Sequence, residues 1–271
     1  MNANQALWEQ GDFTRIAATM RDSGEELVKS LDITNGMQVL DLGSGDGTTA
    51  LPEARLGAEV LAVDIAGNLV EAGNRRAAED GLTNLRFEQG DASDLYCVSD
   101  ESFDLVVSIF GAMFAPNPFA VAKEMVRVTR PGGRIVMGNW IPGDPTLVAQ
   151  LLRISASYAP PPEGFVSPVR WGVEDDVVER FTAAGVKLEH ISWERETYTF
   201  VSPVPPAAYL ADFRDYYGPT MTAFAAARAD GREDELWREL EELFMSHNTA
   251  PTGETTVIPA TFLKVTVRVD E

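Results

Sequence analysis

The stretch VLDLGSGDG at residues 39–47 is an apolar run that leads directly into Gly43, Gly45 and Gly47. Spaced glycines let the backbone approach a ligand closely and adopt positive φ, and doubly wound sheets bind nucleotides at turns of this kind. Thr48 stands where a dinucleotide-binding turn has its third glycine, which argues against a nicotinamide cofactor. The stretch therefore predicts a nucleotide-type ligand at the end of a first strand.

Short β-rich runs follow one another along the chain, and most of the segments between them have helical periodicity. Apolar runs without clean alternation are typical of strands that are buried on both faces by helices. We therefore expect an α/β fold with a doubly wound, mostly parallel, seven-stranded sheet (Rossmann-like), an antiparallel last strand and helical lid insertions.

Outside this sheet the composition changes, since six prolines between residues 142 and 168 interrupt one helical stretch. Near the start of the chain, Ser23 and Glu26 form a capping-box pattern that predicts the beginning of a helix. We divide one structural domain into an N-terminal helical segment (1–35), a ligand-binding core (36–141), a lid insertion (142–170) and the end of the sheet (171–271) with a helical insertion at about 203–250.

Acidic residues end the first three predicted strands, at Asp41, Asp64 and Asp91. A carboxylate at Asp64 can accept two hydrogen bonds from a ribose diol, although a helix N-cap is its structural alternative. Asp91 could meet an adenine amino group while Ala92 offers its backbone amide to a ring nitrogen. Because the carboxyl ends of parallel strands share one edge, these carboxylates are expected to line one site.

The chain has 22 basic and 42 acidic residues among 271, a formal net charge of −20. This balance argues against nucleic acid and anionic membranes as partners. A single cysteine, Cys97, excludes an intramolecular disulfide and favours a reducing compartment. The first thirty residues carry charges that do not fit a signal peptide, and no run of eighteen apolar residues occurs. We therefore expect a soluble cytoplasmic protein without a membrane or nucleic-acid partner.

Five motifs between about residues 37 and 137 occur in the order found in one family: VLDLGSGDG, AVDI, GDASDL, SFDLVVS and VTRPGGRIVM. In these motifs the sequence resembles the class I S-adenosylmethionine-dependent methyltransferases, in particular the small-molecule group that includes the ubiquinone and menaquinone biosynthesis enzymes. The resemblance implies S-adenosylmethionine as cofactor, S-adenosylhomocysteine as product and a small-molecule substrate. No His/Asp/Glu spacing in the sequence indicates a metal site, and the oligomeric state stays open.

The resemblance also implies a role for each matching residue at the cofactor. The glycines of the turn (Gly43, Gly45, Gly47) would cradle the methionine moiety, while Asp41 would fix the loop or meet the methionine ammonium. Asp64 would bind the ribose hydroxyls, and the adenine would contact Ile65, Asp91 and Ala92. Ser108, at the end of the fourth strand, is also expected at the cofactor. The chain departs from related proteins at residues 96–98, where they commonly have a Leu-Pro-Phe turn.

Aromatic residues and a methionine follow the later strands, and we place the substrate pocket at Phe110, Met113, Phe114, Trp140 and Trp171. Plain core packing is the alternative for these side chains. We expect Phe114 and Trp140 to contact the methyl-donor site and residues 165–171 to cover it.

Methyl transfer is an in-line displacement in which positioning can supply much of the catalysis. No catalytic base is assigned, and His247 is only a weak candidate because the sequence shows no partner for it. The expected function is methyl transfer to the oxygen, then the nitrogen or carbon, of a small, partly apolar or aromatic molecule. A nucleotide-cofactor oxidoreductase and a cofactor-binding protein without turnover are the alternatives.

Overall fold

The computed structural model describes residues 3–270, which form a seven-stranded sheet in the order β3-β2-β1-β4-β5-β7-β6. All neighbouring strands pair in parallel except where β7 is involved, since β7 runs antiparallel to both β5 and β6. The predicted fold is confirmed. The strands are β1 Gln38–Leu42, β2 Glu59–Asp64, β3 Leu85–Gln89, β4 Phe103–Ile109, β5 Thr129–Trp140, β6 Ile191–Ser202 and β7 Thr256–Arg268.

Helices connect these strands and cover the sheet, as expected for strands whose side chains are apolar on both faces. In the described part of the chain, no helix is both long and apolar enough to cross a membrane. The helices are α1 Ala3–Glu9, α2 Thr14–Ala17, α3 Arg21–Lys29, α4 Ala50–Arg55, α5 Gly67–Glu79, α6 Pro118–Val128, α7 Leu147–Tyr158, α8 Glu174–Ala183, α9 Pro206–Tyr216, α10 Gly218–Ala229 and α11 Glu233–His247.

The expected helix start at Ser23 is wrong, because α3 begins two residues earlier and Ser23 lies within it. The Ser23 hydroxyl donates to the Thr199 carbonyl at 3.0 Å and accepts from the Thr199 amide at 2.9 Å. Ser23 therefore satisfies backbone groups of the edge strand β6 instead of capping its own helix, a tertiary contact that the local pattern did not contain.

The two predicted insertions pack against each other. Helix α7, within residues 142–170, contacts α10 and α11 of the second insertion and also β7. The 3₁₀ turn Pro168–Gly172 packs against β5 and against the 3₁₀ turn Ala112–Phe114. The insertions thus pack against β5 and β7 and join the same hydrophobic core as the sheet.

The turns that follow β1 and β4 touch through two glycines. A Cβ atom on Gly111 would lie 2.2 Å from the carbonyl oxygen of Gly43 and 2.6 Å from its Cα. Real Cβ atoms do not approach other atoms so closely, so the two backbones can meet only where side chains are absent. This contact fixes the distance between the turns that follow β1 and β4 at the carboxyl edge of the sheet.

Gly111→Ala should therefore force these turns apart and lower the free energy of unfolding by about 1–3 kcal/mol, the usual cost of overpacking. Thermal denaturation should show a fall in Tm, by about 2–4 °C per kcal/mol for a chain of this size. Gly253→Ala is the control, because its Cβ would meet no atom within 4 Å. Equal Tm values for the two variants would contradict the close contact.

Candidate active site

A cavity of about 900 Å³, its open mouth included, lies at the carboxyl edge of the sheet. Its wall is formed by the turns after β1, β2, β3 and β4, by the N-terminal segment and by one residue of β6. Ligands of open α/β sheets bind in this position. The cavity is therefore the candidate active site.

The glycine turn forms the centre of the wall. Gly43, Gly45 and Gly47 all have positive φ, and the amides of Gly43 and Ser44 both donate to the Val63 carbonyl. Gly43 and Gly45 line the cavity. Gly47 is absent from the cavity wall. A Cβ atom on Gly47 would lie 2.3 Å from the Leu51 side chain, so the glycine is needed for packing behind the turn.

Asp64 connects the glycine turn to the second strand. Its Oδ2 accepts from the Gly45 amide at 2.8 Å, and its Oδ1 accepts from the Ala66 amide at 2.9 Å, at the start of α5. Burial raises the pKa of this carboxyl, against the lowering effect of these amide hydrogen bonds. Asp64 is therefore not the N-cap of α5, which is Ala66, although it accepts from the amide of that residue. It also lines the cavity, where its remaining lone pairs can meet a ribose.

The residues expected at the adenine come together at the far end of the cavity. Ile65, Asp91 and Ala92 all line it, and Leu69 of α5 joins them. Asp91 Oδ1 accepts from the amide and the hydroxyl of Ser93, at 2.9 and 2.7 Å, which fixes the turn after β3. This end combines apolar surfaces with a carboxylate and backbone amides, a combination that suits a purine ring.

Asp41 lies beneath the turn, outside the cavity wall, and is 1% exposed. Thr49 donates to its Oδ2 at 2.6 Å, while Oδ1 has no hydrogen-bond partner among residues 3–270. Glu53 of α4 is completely buried, and the described residues leave both of its oxygens unpartnered. Sequence reasoning missed Glu53, because a carboxylate in the first turns of a helix is ordinarily solvated.

These two buried carboxyls hold protons more strongly than usual. Burial raises the pKa of Asp41 to about 7, with a further contribution from the charge of Asp64 and an opposing one from the Thr49 hydrogen bond. Burial, and then the charge of Asp41, raises the pKa of Glu53 well above its ordinary value. Asp41 thus fixes the loop through Thr49, one of the two roles expected for it.

The turn after β4 forms the other side of the cavity. Phe110 lines it with φ of 60°, an uncommon conformation for a bulky residue. Its ring stacks on Trp140, with the centroids 3.7 Å apart and the planes 8° apart. Ser108 lies behind this wall, where its hydroxyl donates to the Leu42 carbonyl at 2.5 Å and accepts from the Ala112 amide at 2.9 Å. Ser108 therefore braces the site from outside the cavity wall.

Four of the five predicted substrate-pocket residues lie outside the cavity wall, and Phe110 is the exception. Met113 is buried in the core, and Trp140 supports Phe110 from behind. The Phe114 ring touches Trp8, 4.9 Å between centroids, and so supports a wall residue. Trp171 packs with Phe181 and under the Arg180 guanidinium, away from the cavity, because its 3₁₀ turn is drawn onto β5 and α8.

His247 also lies elsewhere. Its Nε2 faces the Pro145 carbonyl at 2.8 Å, and its Nδ1 faces the Leu243 carbonyl at 2.9 Å. The ring therefore joins the end of α11 to the first insertion and is absent from the cavity wall. The structure gives no support to His247 as a base.

The N-terminal segment covers the cavity, and sequence reasoning missed this role. Trp8, Phe13 and Met20 line the wall, whereas none of the described residues 142–170 or 203–250 does. The predicted cover by residues 165–171 is therefore corrected. The Glu9 carboxylate accepts from the Gly67 amide at 3.0 Å, which holds the end of α1 at the start of α5.

An ion pair fixes the same segment from the other side. Asp46, within the glycine turn, is 1% exposed and lies 2.7 Å from the Arg21 guanidinium and 3.5 Å from that of Arg76. Asp46 therefore links α3, the glycine turn and α5. The aromatic residues Trp8 and Phe13 were the sequence signal from which a cover could have been predicted. Large apolar side chains in an N-terminal segment need a surface to pack against, and here that surface is the cavity.

Comparisons with known proteins bear on this site. The family model described as a methyltransferase domain matches residues 40–137. An uncharacterized protein of Mycobacterium tuberculosis is 34% identical over 243 residues, covering 89% of this chain and 86% of that protein. A demethylmenaquinone methyltransferase of Paenarthrobacter aurescens is 36% identical over 114 residues, 42% of this chain and 43% of that protein. The YcgJ protein of Bacillus subtilis has the same fold, with TM-score 0.61 and 19% identity over 92% of this chain and 99% of that one.

The fold and the glycine turn define a nucleotide-binding α/β enzyme with its site at the carboxyl edge of the sheet. The chain belongs to the class I S-adenosylmethionine-dependent methyltransferases, in a family that it shares with the mycobacterial protein. The resemblance found in its motifs is confirmed, and its cofactor is S-adenosylmethionine. It is an enzyme of methyl transfer and not the oxidoreductase that the sequence left open.

Asp64→Ala should weaken the binding of S-adenosylhomocysteine at least tenfold, because hydrogen bonds to a charged group contribute roughly 1.5–3 kcal/mol each. Calorimetric titration measures this change, with Glu88→Ala, an exposed residue of β3, as control. Unchanged affinity together with a large fall in Tm would mean that Asp64 serves only the start of α5.

The buried acids should make stability depend on pH. A carboxyl whose pKa is raised on folding keeps its proton where the unfolded chain has lost it, so the free energy of unfolding falls as pH rises from 3.8 to about 7 for Asp41. Glu53, whose pKa is also raised, adds to this fall in the free energy of unfolding. Glu53→Gln removes its titration, so the free energy of unfolding should fall less steeply with pH. Urea denaturation from pH 4 to 9 tests this, with exposed Glu59→Gln as control. A curve for Glu53→Gln that overlays the wild-type curve would contradict the prediction.

Proposed function

We propose that the enzyme transfers a methyl group from S-adenosylmethionine to a small, uncharged acceptor that is at least partly apolar or aromatic. One observation carries this proposal. Beyond the glycine turn, the cavity wall is apolar and aromatic, with Trp8, Phe13, Phe110, Ala112 and Ala115. Such a wall favours flat or apolar molecules.

The charges of the cavity support the same acceptor class. No Lys, Arg or His lines the described wall, so an acceptor bearing a carboxylate or phosphate would lack a counterion. Three carboxylates line the described wall. Asp46 is paired with Arg21, whereas Asp64 and Asp91 lie toward the proposed ribose and adenine positions. Together with the net charge of −20, they disfavour an anionic acceptor.

The wall also bears on the acceptor atom. Since no histidine or lysine lines the described wall, the reaction favours acceptors that lose their proton without strong assistance. A phenolic or enolic oxygen meets this condition, followed by a neutral amine nitrogen or a nucleophilic carbon. We propose oxygen as the first choice and keep nitrogen and carbon as the next.

Within this proposal, Gly43 and Gly45 leave room for the methionine part, Asp64 binds the ribose diol, and Asp91 and Ala92 bind the adenine. The N-terminal residues from Asn4 to Met20 act as the cover that excludes water and orients the acceptor for in-line attack. A reducing cytoplasm is the proposed location, in keeping with the free, exposed thiol of Cys97.

The test uses S-adenosylmethionine labelled in its methyl group and a panel of phenols, quinols, amines, carboxylic acids and phosphate monoesters. Label should enter the uncharged acceptors, and Trp8→Ala should lower kcat/KM for them at least tenfold, since truncating a buried aromatic contact typically costs 1–2 kcal/mol or more. The Kd of S-adenosylhomocysteine should change less than threefold. Trp193→Ala removes an indole at the exposed edge of β6 and is the control. Label found only in carboxylates or phosphates would reject the proposed acceptor class.

A further inference from the structure

We propose that Tyr198 is a cofactor-binding residue whose phenol oxygen accepts a hydrogen bond from the ammonium group of S-adenosylmethionine. This inference rests on the methyl-transfer function proposed above. Tyr198 comes from β6, the edge strand farthest from β3, and is outside all five motifs that identify the family. It nevertheless lines the cavity and is 1% exposed.

The cavity has two ends, and Tyr198 is at the second. The first end, with Ile65, Asp91 and Ala92, follows β2 and β3. The second follows β1 and β4 and includes Gly43 and Thr48. S-adenosylmethionine is an extended molecule whose ribose separates the adenine from the amino acid. With the adenine at the first end and the ribose at Asp64, the amino acid reaches the second end.

The contacts around Gly24 show that the Tyr198 hydroxyl lies at this second end of the cavity. A Cβ placed on Gly24 would meet Thr48 Cγ2 at 2.6 Å and Tyr198 Oη at 3.0 Å, so these two atoms are neighbours. Thr48 directly follows the glycine turn. The Tyr198 hydroxyl therefore lies beside the turn over which the methionine part must pass.

The direction of the hydrogen bond follows from the partner that the phenol already has. Tyr198 donates its proton to the Met20 carbonyl at 2.9 Å, and a carbonyl can only accept. The lone pairs of the phenol oxygen remain for a donor. The ammonium group supplies three N–H donors, whereas the carboxylate of the same amino acid supplies none.

The electrostatic surroundings favour a cation at this position. Asp41, with its unpartnered Oδ1, lies below the turn. Burial, followed by the charge of Asp41, raises the pKa of Tyr198 far above its ordinary value. Tyr198 therefore stays a neutral phenol, which accepts a hydrogen bond but does not act as a base at neutral pH. The ring is held edge-on to Phe110, 5.0 Å between centroids, which fixes the position of its oxygen.

A purely structural role is the alternative, because Tyr198 also tethers the N-terminal cover. The chain offers a matched control. Tyr209 is buried and contacts the Thr19 hydroxyl at 2.6 Å, one residue from Met20, yet it is absent from the described cavity wall. Tyr198→Phe and Tyr209→Phe each remove one hydroxyl that contacts the 3₁₀ turn Ala18–Met20. Only the first variant changes a residue of the described cavity wall.

The experiment is calorimetric titration of wild type and both variants with S-adenosylhomocysteine and with 5′-methylthioadenosine, which lacks the amino-acid part. Tyr198→Phe should weaken S-adenosylhomocysteine at least tenfold and 5′-methylthioadenosine less than threefold. Tyr209→Phe should change the two ligands by the same factor. Equal weakening of both ligands by Tyr198→Phe, or none, would overturn the inference in favour of a tether.

A second measurement does not depend on the variant folding. In wild type labelled with ζ-¹³C tyrosine, one tyrosine resonance should shift with S-adenosylhomocysteine and not with 5′-methylthioadenosine, since Tyr198 is the one tyrosine in the described cavity wall. No ligand-specific shift would overturn the inference. Because both experiments omit the acceptor, failure of the proposed acceptor class would leave their results unchanged. A wild type that binds neither ligand would overturn the cofactor site itself.

Discussion

The close contact between Gly43 and Gly111 determines how the carboxyl edge of the sheet is built. Because the two backbones touch there, the turn after β4 is held directly against the glycine turn after β1. Phe110, immediately before Gly111, then adopts its left-handed φ and places its ring on Trp140. Strain of this kind persists only where the surroundings fix it, and here the stacked indole and the glycine contact do so. One steric constraint thus shapes both the cofactor side and the acceptor side of the cavity.

The acidic strand ends share an edge but differ in function because they differ in hydrogen bonding. Asp64 accepts from the Gly45 amide of the glycine turn, Asp91 accepts from the Ser93 amide of its own turn, and both residues line the cavity. Asp41 lies below, paired with Thr49, and has Glu53 as a buried acidic neighbour. The described cavity wall contains carboxylates and no cation, so its field suits the positively charged part of S-adenosylmethionine. The product has lost the sulfonium charge, so the same field favours its release over that of the substrate.

The sequence allowed the sheet, the glycine turn and the gathering of Asp64, Asp91 and Ala92 at one cavity to be predicted, because each depends on local patterns: apolar runs, glycine spacing and acidic strand ends. Residues whose roles depend on long-range packing could not be placed. Trp140 and Trp171 follow strands in the sequence, yet one supports Phe110 from behind and the other packs on α8. The cover was expected from residues 165–171 because they follow β5. In the structure it comes from residues at the start of the chain, held by Arg21, Asp46 and Glu9.

The N-terminal cover lies beside the parts of the cavity proposed for both S-adenosylmethionine and the methyl acceptor. Trp8 and Phe13 lie over the apolar part of the cavity, while Glu9 of the same segment reaches the start of α5 at the adenine end. Tyr198 adds a further connection, since its hydroxyl donates to the Met20 carbonyl within this segment and its side chain belongs to a residue of the cavity wall. The N-terminal segment therefore forms part of the wall around both the glycine turn and the apolar part of the cavity, a position from which a cover can exclude water from a displacement reaction.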